Sequence, residues 1–433
     1  MLSLAAAQPA EKGYVVRVDS NSVWIDLTAA DGAIPGREFD IYKEGAELKH
    51  PITGASLGKV ETTVAHGRVV NVSDHFFTGE ILAGSSFVAS GQRARFSMPA
   101  AAPVAPAPTP AKWAASDARA PKSQGATLNF SVTGMAIGDF DGGGKPQTAL
   151  ASENTVMLYP YPVTNAAPLA SIKLPGTGLR ILGLEAADLD GSGRAALFVS
   201  VYDESFQRFE TRVLKMEAGK WLKAADLPYL THGYQDPSGK PAIATQQVLD
   251  DKSFPYGAIY PLGYADGKYF QVRPALKYPR IEWVFNFTTV RLGTIDASIY
   301  VTPVHALRVQ LGKEHWRSPD DDYGQTPLRV RWQERLLEFN PPMAAAYGPN
   351  GFEALYTVRN IAALGGLASP FGLFNRGELH RKTWNGLALE TAWKADLPGA
   401  AQGLALIETA AGREIAVAVR GAAGQSSVWT FDP

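Results

Sequence analysis

The sequence predicts an all-β fold, and three observations carry that reading. The first is a repeated unit. The stretch Met135 to Ala151 is an apolar alternating run, then Asp139-Phe-Asp141-Gly-Gly-Gly144, then a second apolar run. It returns as Leu184 to Val199, where Asp188-Leu-Asp190-Gly-Ser-Gly193 stands at the turn, 49 positions on. Alternation on both sides of a glycine-rich turn reads as a β-hairpin. The second observation is the abundance of turn formers, with 42 Gly and 30 Pro in 433 residues. The third is that short alternating runs continue to the end of the chain. Self-similarity at 40–50 residues points to propeller blades or a solenoid. Residues 127–433 hold about six such periods, a usual blade number for a propeller. The predicted fold is therefore a six-bladed β-propeller, with seven blades as the alternative count, preceded by a small β-barrel-like domain.

Taken in order, the first ten residues, Met1 to Ala10, are short and apolar. They lack the basic start and long apolar run of a full signal peptide, and read either as the trimmed end of one or as a tail. The first domain is placed at 13–92. Tyr14 to Val18 and Val23 to Leu27 flank the hairpin signal Asp19-Ser-Asn-Ser22, and the runs at Glu38 to Tyr42 and Val60 to Val72 add strands. Five or six short strands in about 78 positions suit a small closed sheet. A linker is placed at 97–126. Its run Pro99 to Pro110 is Ala/Pro-rich, cannot form a packed core and favours a semi-rigid extended spacer of about 3.1 Å per residue. Trp113 is the one large apolar side chain nearby.

The propeller is placed at 127–433. Blade one is read as strands near 134–139, 147–151, 155–160 and 168–174, and blade two near 181–187, 195–202, 208–216 and 221–226. A second signature, the tight turn before the outer strand, recurs at Ala218-Gly-Lys-Trp221, Asp266-Gly-Lys-Tyr269 and Asn385-Gly-Leu-Ala388. Glycine supplies the positive φ such a turn needs. Later blades are placed at about 242–277, 281–317, 327–397 with an insertion at 361–374, and 402–431. The last lacks a fourth strand, which Leu128 to Val132 is expected to supply.

Composition bounds function only loosely. The formal charge is −1 and no basic stripe stands out, which argues against a nucleic-acid partner. No run of about 18 apolar residues is present, so no membrane span is expected. The absence of cysteine excludes disulfides, thiol catalysis and Cys-based zinc sites, and fits a cysteine-poor bacterial envelope protein. No nucleophile elbow, His-Glu-x-x-His or phosphate loop occurs. An enzyme is the less favoured reading, though propeller enzymes draw their residues from separate loops.

The repeats resemble the FG-GAP/VCBS family of β-propellers, which includes integrin-α-like heads. Residues 138–146 and 187–193 carry the resemblance, which extends over nearly all of 127–433 through runs such as Lys313 to Trp316 and Lys382 to Gly386. It implies a non-catalytic, periplasmic or extracellular, cell-surface-associated domain that binds proteins or glycans. In that family the turn binds Ca²⁺ through carboxylates. Here Asp139, Asp141, Asp188 and Asp190 are kept, while the third acidic position is Gly143 or Ser192 and the last is Gln147 or Ala196. These are degenerate calcium loops. Weak calcium binding stands against hairpins whose aspartates cap their own backbone N–H groups; no other cofactor is expected. The run over 13–90 resembles the C-terminal domain of the flagellar assembly protein T family, on its Ile34-Pro-Gly36, Pro51-Ile-Thr-Gly54 and Arg68-Val-Val-Asn-Val72 pattern.

Other clusters are weighed in the same way. Asp320 to Asp322 reads as a cation ligand set or a solvated loop. His305 and His315, and His66 and His75, match no trusted ligand spacing. Phe254, Tyr256, Tyr260, Tyr264, Tyr269 and Phe270 read as a sugar platform or as packing between blades. Glu282 and Asp296 are acids that could pair in space. The leading function is a binding or scaffold protein of a bacterial cell envelope. Its alternatives are a glycan hydrolase or lyase on the axial face and a flagellum-associated assembly factor.

Overall fold

The computed structural model describes residues 12–19, 22–49, 56–83, 88–96, 119–249, 256–278, 281–319, 322–333, 335–339, 341–362, 374–409, 412–421 and 423–433. Trp113, the Pro99 to Pro110 run and most of the expected insertion at 361–374 lie outside them. The chain divides into two compact units, Met1–Trp113 and Ala114–Pro433. Among the described residues there is no α-helix, only strands and short 3₁₀ turns.

The first unit is a closed six-stranded barrel. Its strands are β1 (Lys12–Asp19), β2 (Ser22–Ile25), β3 (Glu38–Lys49), β4 (Ser56–Val72), β5 (Phe77–Ala83) and β6 (Arg93–Phe96), paired in the order β1-β2-β5-β4-β3-β6. β6 lies past residue 92 and closes the barrel by pairing with both β1 and β3. Closure leaves no open sheet edge. Inward positions alternate along each strand, so Val15, Val23, Ile25, Phe39, Ile41, Phe77 and Ile81 form one core. Phe39 lies 5.1 Å from Phe77, centroid to centroid. A Cβ at Gly67 or Gly79 would stand about 2.5 Å from the Phe39 ring, so glycine is what lets that ring lie across two strands.

The second unit is a six-bladed propeller. Blade 1 is β7 (Gly134–Gly138), β8 (Gln147–Ser152), β9 (Thr155–Pro160) and β10 (Ala170–Lys173). Blade 2 is β11 (Leu179–Ala187), β12 (Ala196–Asp203), β13 (Arg208–Glu217) and β14 (Lys220–Leu227). Blade 3 is β15 (Leu230–Gln235), β16 (Pro241–Val248), β17 (Tyr256–Ala265) and β18 (Lys268–Gln271). Blade 4 is β19 (Phe287–Leu292), β20 (Ile295–Val301), β21 (Leu307–Leu311) and β22 (Glu314–Arg317). A separate hairpin, β23 (Arg329–Trp332) and β24 (Arg335–Glu338), precedes blade 5. Blade 5 is β25 (Met343–Gly348), β26 (Gly351–Ala362), β27 (Phe374–Trp384) and β28 (Leu389–Leu397). Blade 6 is β29 (Gly399–Thr409), β30 (Gly412–Gly421) and β31 (Ser426–Phe431). The first strands β7, β11, β15, β19, β25 and β29 neighbour one another in turn and complete the ring.

Burial follows position within a blade. Every residue of β12 is buried, because a second strand is covered by neighbouring blades on both faces, while β14 at the rim is mostly exposed. Blades 1 and 2 match the expected strands to within a few residues. Blade 3 begins earlier than expected, at Leu230, and the expected start of blade 5 at 327 is the separate hairpin.

Blade 6 has three strands, and the place of its fourth is taken by a segment from the other end of the unit, joined through isolated bridges at Ser123–Thr430 and Leu128–Ser426. Leu128 and Ser426 exchange backbone hydrogen bonds of 2.8 and 2.9 Å, and Thr430 N–H donates to the Ser123 carbonyl at 2.8 Å. The pairing segment therefore runs from 122 to 128, upstream of the expected 128–132. Val132 still contributes, donating its N–H to Ser426 Oγ at 2.9 Å. Arg119 and Lys122, placed in the linker by sequence, donate backbone N–H groups to the carbonyls of Lys394 and Thr430.

Candidate functional site

All first strands run the same way around the ring, so the turns after them gather at one end of the propeller. The turns between second and third strands gather at the other end, with the β23–β24 hairpin. The repeated aspartate turns belong to the first end. There Asp139 accepts N–H groups from Gly142, Gly143 and Gly144 at 2.7–3.1 Å. Asp141 accepts the Gly143 N–H at 2.8 Å and the Gln147 amide at 2.7 Å. In the second turn Asp188 accepts from Ser192 and Gly193, and Asp190 from Ser192 and from the Lys215 ammonium. Burial opposes ionisation of Asp190, but Lys215 and Ser192 outweigh it and hold the carboxyl below its ordinary range. Each aspartate thus folds its own turn, and Lys215 supplies a positive charge beside Asp190. The structure brings together the two carboxylates of one turn, not those of the two turns. Among the described residues no three acidic or histidine side chains converge as a ligand set.

The axial channel is lined by the first-strand residues Glu185, His232 and Gln402 and by Phe285 in the 3₁₀ turn before β19. Glu185 Oε1 lies 3.1 Å from His232 Nδ1. Leu328 and Phe339, which flank the hairpin, also line this space, so the hairpin caps the channel at its own end. Packing explains why it stays there. Phe339 lies 5.6 Å from Trp283 and 5.0 Å from Phe285, and Trp332 lies 5.9 Å from Phe209. The Trp283 indole donates to the Glu338 carbonyl at 2.9 Å and the Trp332 indole to the Gln207 carbonyl at 3.0 Å. Burying each such ring stabilises by roughly 1.5–3 kcal/mol, and each indole N–H finds the partner a buried tryptophan needs.

Capping creates a cavity of about 220 Å³ beside the hairpin, lined by Tyr256, Glu282, Trp283, Asn286, Thr302, His305, Leu336 and Glu338, with Val301 and Pro303 completing the wall. Four separate segments build it: the start of β17, the entry to β19, the turn after β20, and β24. His305 sits in that turn at φ 63°, the left-handed region that histidine enters more readily than most residues. Glu338 Oε1 pairs with Arg329 Nε at 3.1 Å, and its Oε2 lies 3.6 Å from His305 Nε2. Desolvation pushes the Tyr256 hydroxyl up, and Glu282 and Glu338 add to the shift against Arg335.

A second polar cluster lies inside blade 5. Glu378 bonds His380 Nε2 at 3.0 Å and Lys394 Nζ at 3.0 Å, and His380 Nδ1 meets Tyr323 Oη at 3.1 Å. The His380 bond leads the effects that hold Glu378 at about 2, against burial and with Lys394. Burial is what lowers His380, against the pull of Glu378.

The other expected acids and histidines separate. Asp296 pairs with Arg291 at 2.7 Å, not with Glu282. His66 meets Asp40 at 2.8 Å in the barrel, and His315 lies on β22 at the rim. Of the acidic triplet, Asp322 pairs with Arg359 at 2.6 Å, while Asp320 and Asp321 lie outside the described residues. Within the aromatic stretch, Tyr269 packs edge-on against Phe198 at 5.5 Å between blades 2 and 3, and Tyr256 against Trp283 at 4.8 Å; Phe254 lies outside the described residues. Sequence reading singled out Tyr256, Glu282 and His305 separately but missed Trp283, Asn286 and Glu338. The short run Arg335-Leu-Leu-Glu338 carries no sign that its end faces a cavity.

No protein-family model matches the chain, and neither does any curated protein. Solved β-propeller structures do resemble it. They include BBS1N in complex with ARL6DN, at 9% identity over 73% of this chain and 97% of that one, with a TM-score of 0.39. The PQQ-bound aldose sugar dehydrogenase from Streptomyces coelicolor shares 12% identity over 72% and 97%, at 0.39. The RRP9 WD40 repeats share 9% over 72% and 99%, at 0.41. The likeness is one of fold. No helix among the described residues is long and apolar enough to cross a membrane.

Proposed function

We propose that this chain is a non-catalytic binding or scaffold protein of a bacterial cell envelope, whose propeller takes a protein partner on the end that carries the β23–β24 hairpin. The observation that carries the reading is the surface beside that hairpin. Phe206 is 73% exposed, Val304 60% and Leu336 48%, and all three stand on turns or strands around it. Large apolar side chains grouped on one face mark an interaction surface more often than a catalytic one. The aspartate turns of blades 1 and 2 support kinship with FG-GAP/VCBS repeats, and the cysteine-free composition and Ala/Pro-rich run support an extracytoplasmic site.

The test sets the full-length chain against a Phe206→Asp, Leu336→Asp double variant. Each is immobilised and exposed to envelope extract, and the retained partner is then purified and titrated back. The wild type is expected to bind it at least about tenfold more tightly than the variant, a difference of about 1.4 kcal/mol. Equal binding by both, or release of reducing ends from envelope glycans by the wild type, overturns the proposal.

A further inference from the structure

The β23–β24 hairpin forms a sheet of two strands. Its ladder follows from its two ends. Phe339 N–H donates to the Leu328 carbonyl at 3.1 Å. At the tip Trp332 pairs with Arg335 across a two-residue turn whose first residue, Gln333, has φ 52°. Bonded and non-bonded residue pairs alternate along an antiparallel ladder. Val330–Leu337 and Trp332–Arg335 are therefore bonded pairs, and Arg329–Glu338 and Arg331–Leu336 are not. The backbone groups of Leu336 and Glu338 consequently point away from β23, along the outer edge of β24. The Trp283 indole takes the Glu338 carbonyl. The Leu336 N–H, the Leu336 carbonyl and the Glu338 N–H have no protein partner among the described residues.

That edge opens on a space. Leu336 and Glu338 are the residues of β24 that line the cavity of about 220 Å³, and Thr302, Pro303 and His305 belong to another of its walls. Side chains alternate along β24. Leu336 is exposed, while Leu337 is buried in the cluster that holds Trp283 and Tyr256. A strand laid on this edge directs every second side chain toward those rings and the others to solvent beside Leu336. Charge selects no occupant. Arg329 pairs with Glu338, and Arg335 opposes the effect of Glu282 on Tyr256. The outer strands of the blades are blunted in a way that β24 is not. β14 exposes Lys220, Lys223 and Asp226, and β28 exposes Glu390, Lys394 and Asp396, whereas the exposed residue of β24 is Leu336.

We infer that the outer edge of β24 receives an extended, uncharged segment of the partner protein as a third strand of the hairpin sheet. The inference rests on the reading of the hairpin end as a partner surface, and it names how that surface recognises its partner. Leu336 donates one backbone bond and accepts another, the Glu338 N–H donates a third, and alternate apolar side chains of the segment enter the cavity against Tyr256 and Trp283. Main-chain bonds give such a complex its affinity, and the pocket for alternate side chains gives it specificity.

The test titrates the full-length chain by calorimetry with a blocked pentapeptide of alternating threonine and valine. Two further forms of the peptide are N-methylated, one at the threonines and one at the valines. The parent peptide is expected to saturate with a millimolar dissociation constant. Successive N–H groups of an extended chain face opposite edges, so one methylated form should bind at least about tenfold more weakly than the other. Leu336→Pro removes the edge N–H and keeps every ladder bond of the hairpin, and should abolish binding with an unchanged thermal melt. Leu336→Ala keeps that N–H and should weaken binding by no more than about threefold. Where Leu336→Pro shifts the melt, the methylated pair decides alone. No saturation up to about 100 mM, equal binding of the two methylated forms, or unaltered binding in a folded Leu336→Pro overturns the inference. Phe206 lies off the edge, so Phe206→Asp should leave peptide binding in place. A chain that holds its partner through Phe206 but takes no peptide sinks the edge while leaving the surface reading intact. Peptide binding in a chain that captures no partner does the reverse.

Discussion

The two ends of the propeller handle their charged and apolar groups in different ways. At the end with the aspartate turns the carboxylates close their own account: Asp139 takes three backbone N–H groups of its own loop, and Asp190 takes Ser192 and Lys215, while Gln147 Oε1 and the Trp221 indole N–H are buried there without partners. The hairpin end stays open to solvent: Phe206, Val304 and Leu336 are exposed. The conspicuous motif of the sequence thus sits where each turn holds its own carboxylates. The apolar surface at the other end is built from residues with no motif at all. A repeated signature reports what a blade needs in order to turn, and exposed apolar side chains report what the fold has left for something else.

The strongest way to break the comparison is to remove what anchors the open end. Trp283→Ala deletes contacts to Tyr256, Phe285 and Phe339 and the bond to the Glu338 carbonyl. It should cost about 3–5 kcal/mol in denaturant melts. A loss below about 1 kcal/mol would mean the hairpin is not held by this cluster.

Blade 5 offers a second contrast, a buried polar cluster whose account closes. Glu378 has its folded pKa depressed to about 2, so its contribution is complete above the unfolded carboxylate range and is lost as pH falls toward 2. His380 is also lowered in the fold, so the unfolded chain binds its proton first and stability begins to fall once pH drops through the ordinary histidine range. Both act in one direction. Between pH 7 and pH 3 the wild type should lose on the order of 3 kcal/mol more than Glu378→Gln, His380→Gln. Parallel stability curves for the two proteins would remove the cluster from the pH response.

A smaller effect tests the closed end. Asp188→Ala leaves the Gly193 N–H without its side-chain acceptor and the Ser192 N–H with Asp190 alone, and should cost about 1–2 kcal/mol, the same with or without calcium. The smallest is calcium itself. A ligand at a hundred times its dissociation constant would add about 2.7 kcal/mol; millimolar Ca²⁺ should add well under 1 kcal/mol in thermal melts. A shift of several degrees that disappears in Asp139→Ala or Asp188→Ala would show the turns to be metal sites and reverse the contrast.

How much of this was legible beforehand follows from the same physics. Blades 1 and 2 could be read because Asp-x-Asp-Gly marks their first turn and alternation marks their strands. The start of blade 3 was missed because Leu230-Thr-His-Gly-Tyr-Gln235 mixes polar residues into an inner strand that lines the channel. The hairpin was merged with blade 5 because Arg329-Val-Arg-Trp332 alternates as a blade strand does, and a period of two does not say which sheet a strand joins. Closure of the ring was anticipated, but its register was displaced by a few residues, since Leu128 is apolar whichever neighbours pair with it. The cavity was out of reach. Trp283 becomes a wall only when Glu338 arrives from 55 residues away.

The lacing of residues 122–128 onto the last strand also sets an order of events during synthesis. Val132 and its partner Ser426 are 294 residues apart. At about 5–20 residues per second a ribosome needs some 15–60 s to travel that distance. For all that time the segment at 122–132 has left the tunnel and has no strand to join, while blades form behind it one after another. The first residues of the propeller to be made are among the last to be folded. The nascent ring is an open arc with two bare edges until its final strand emerges.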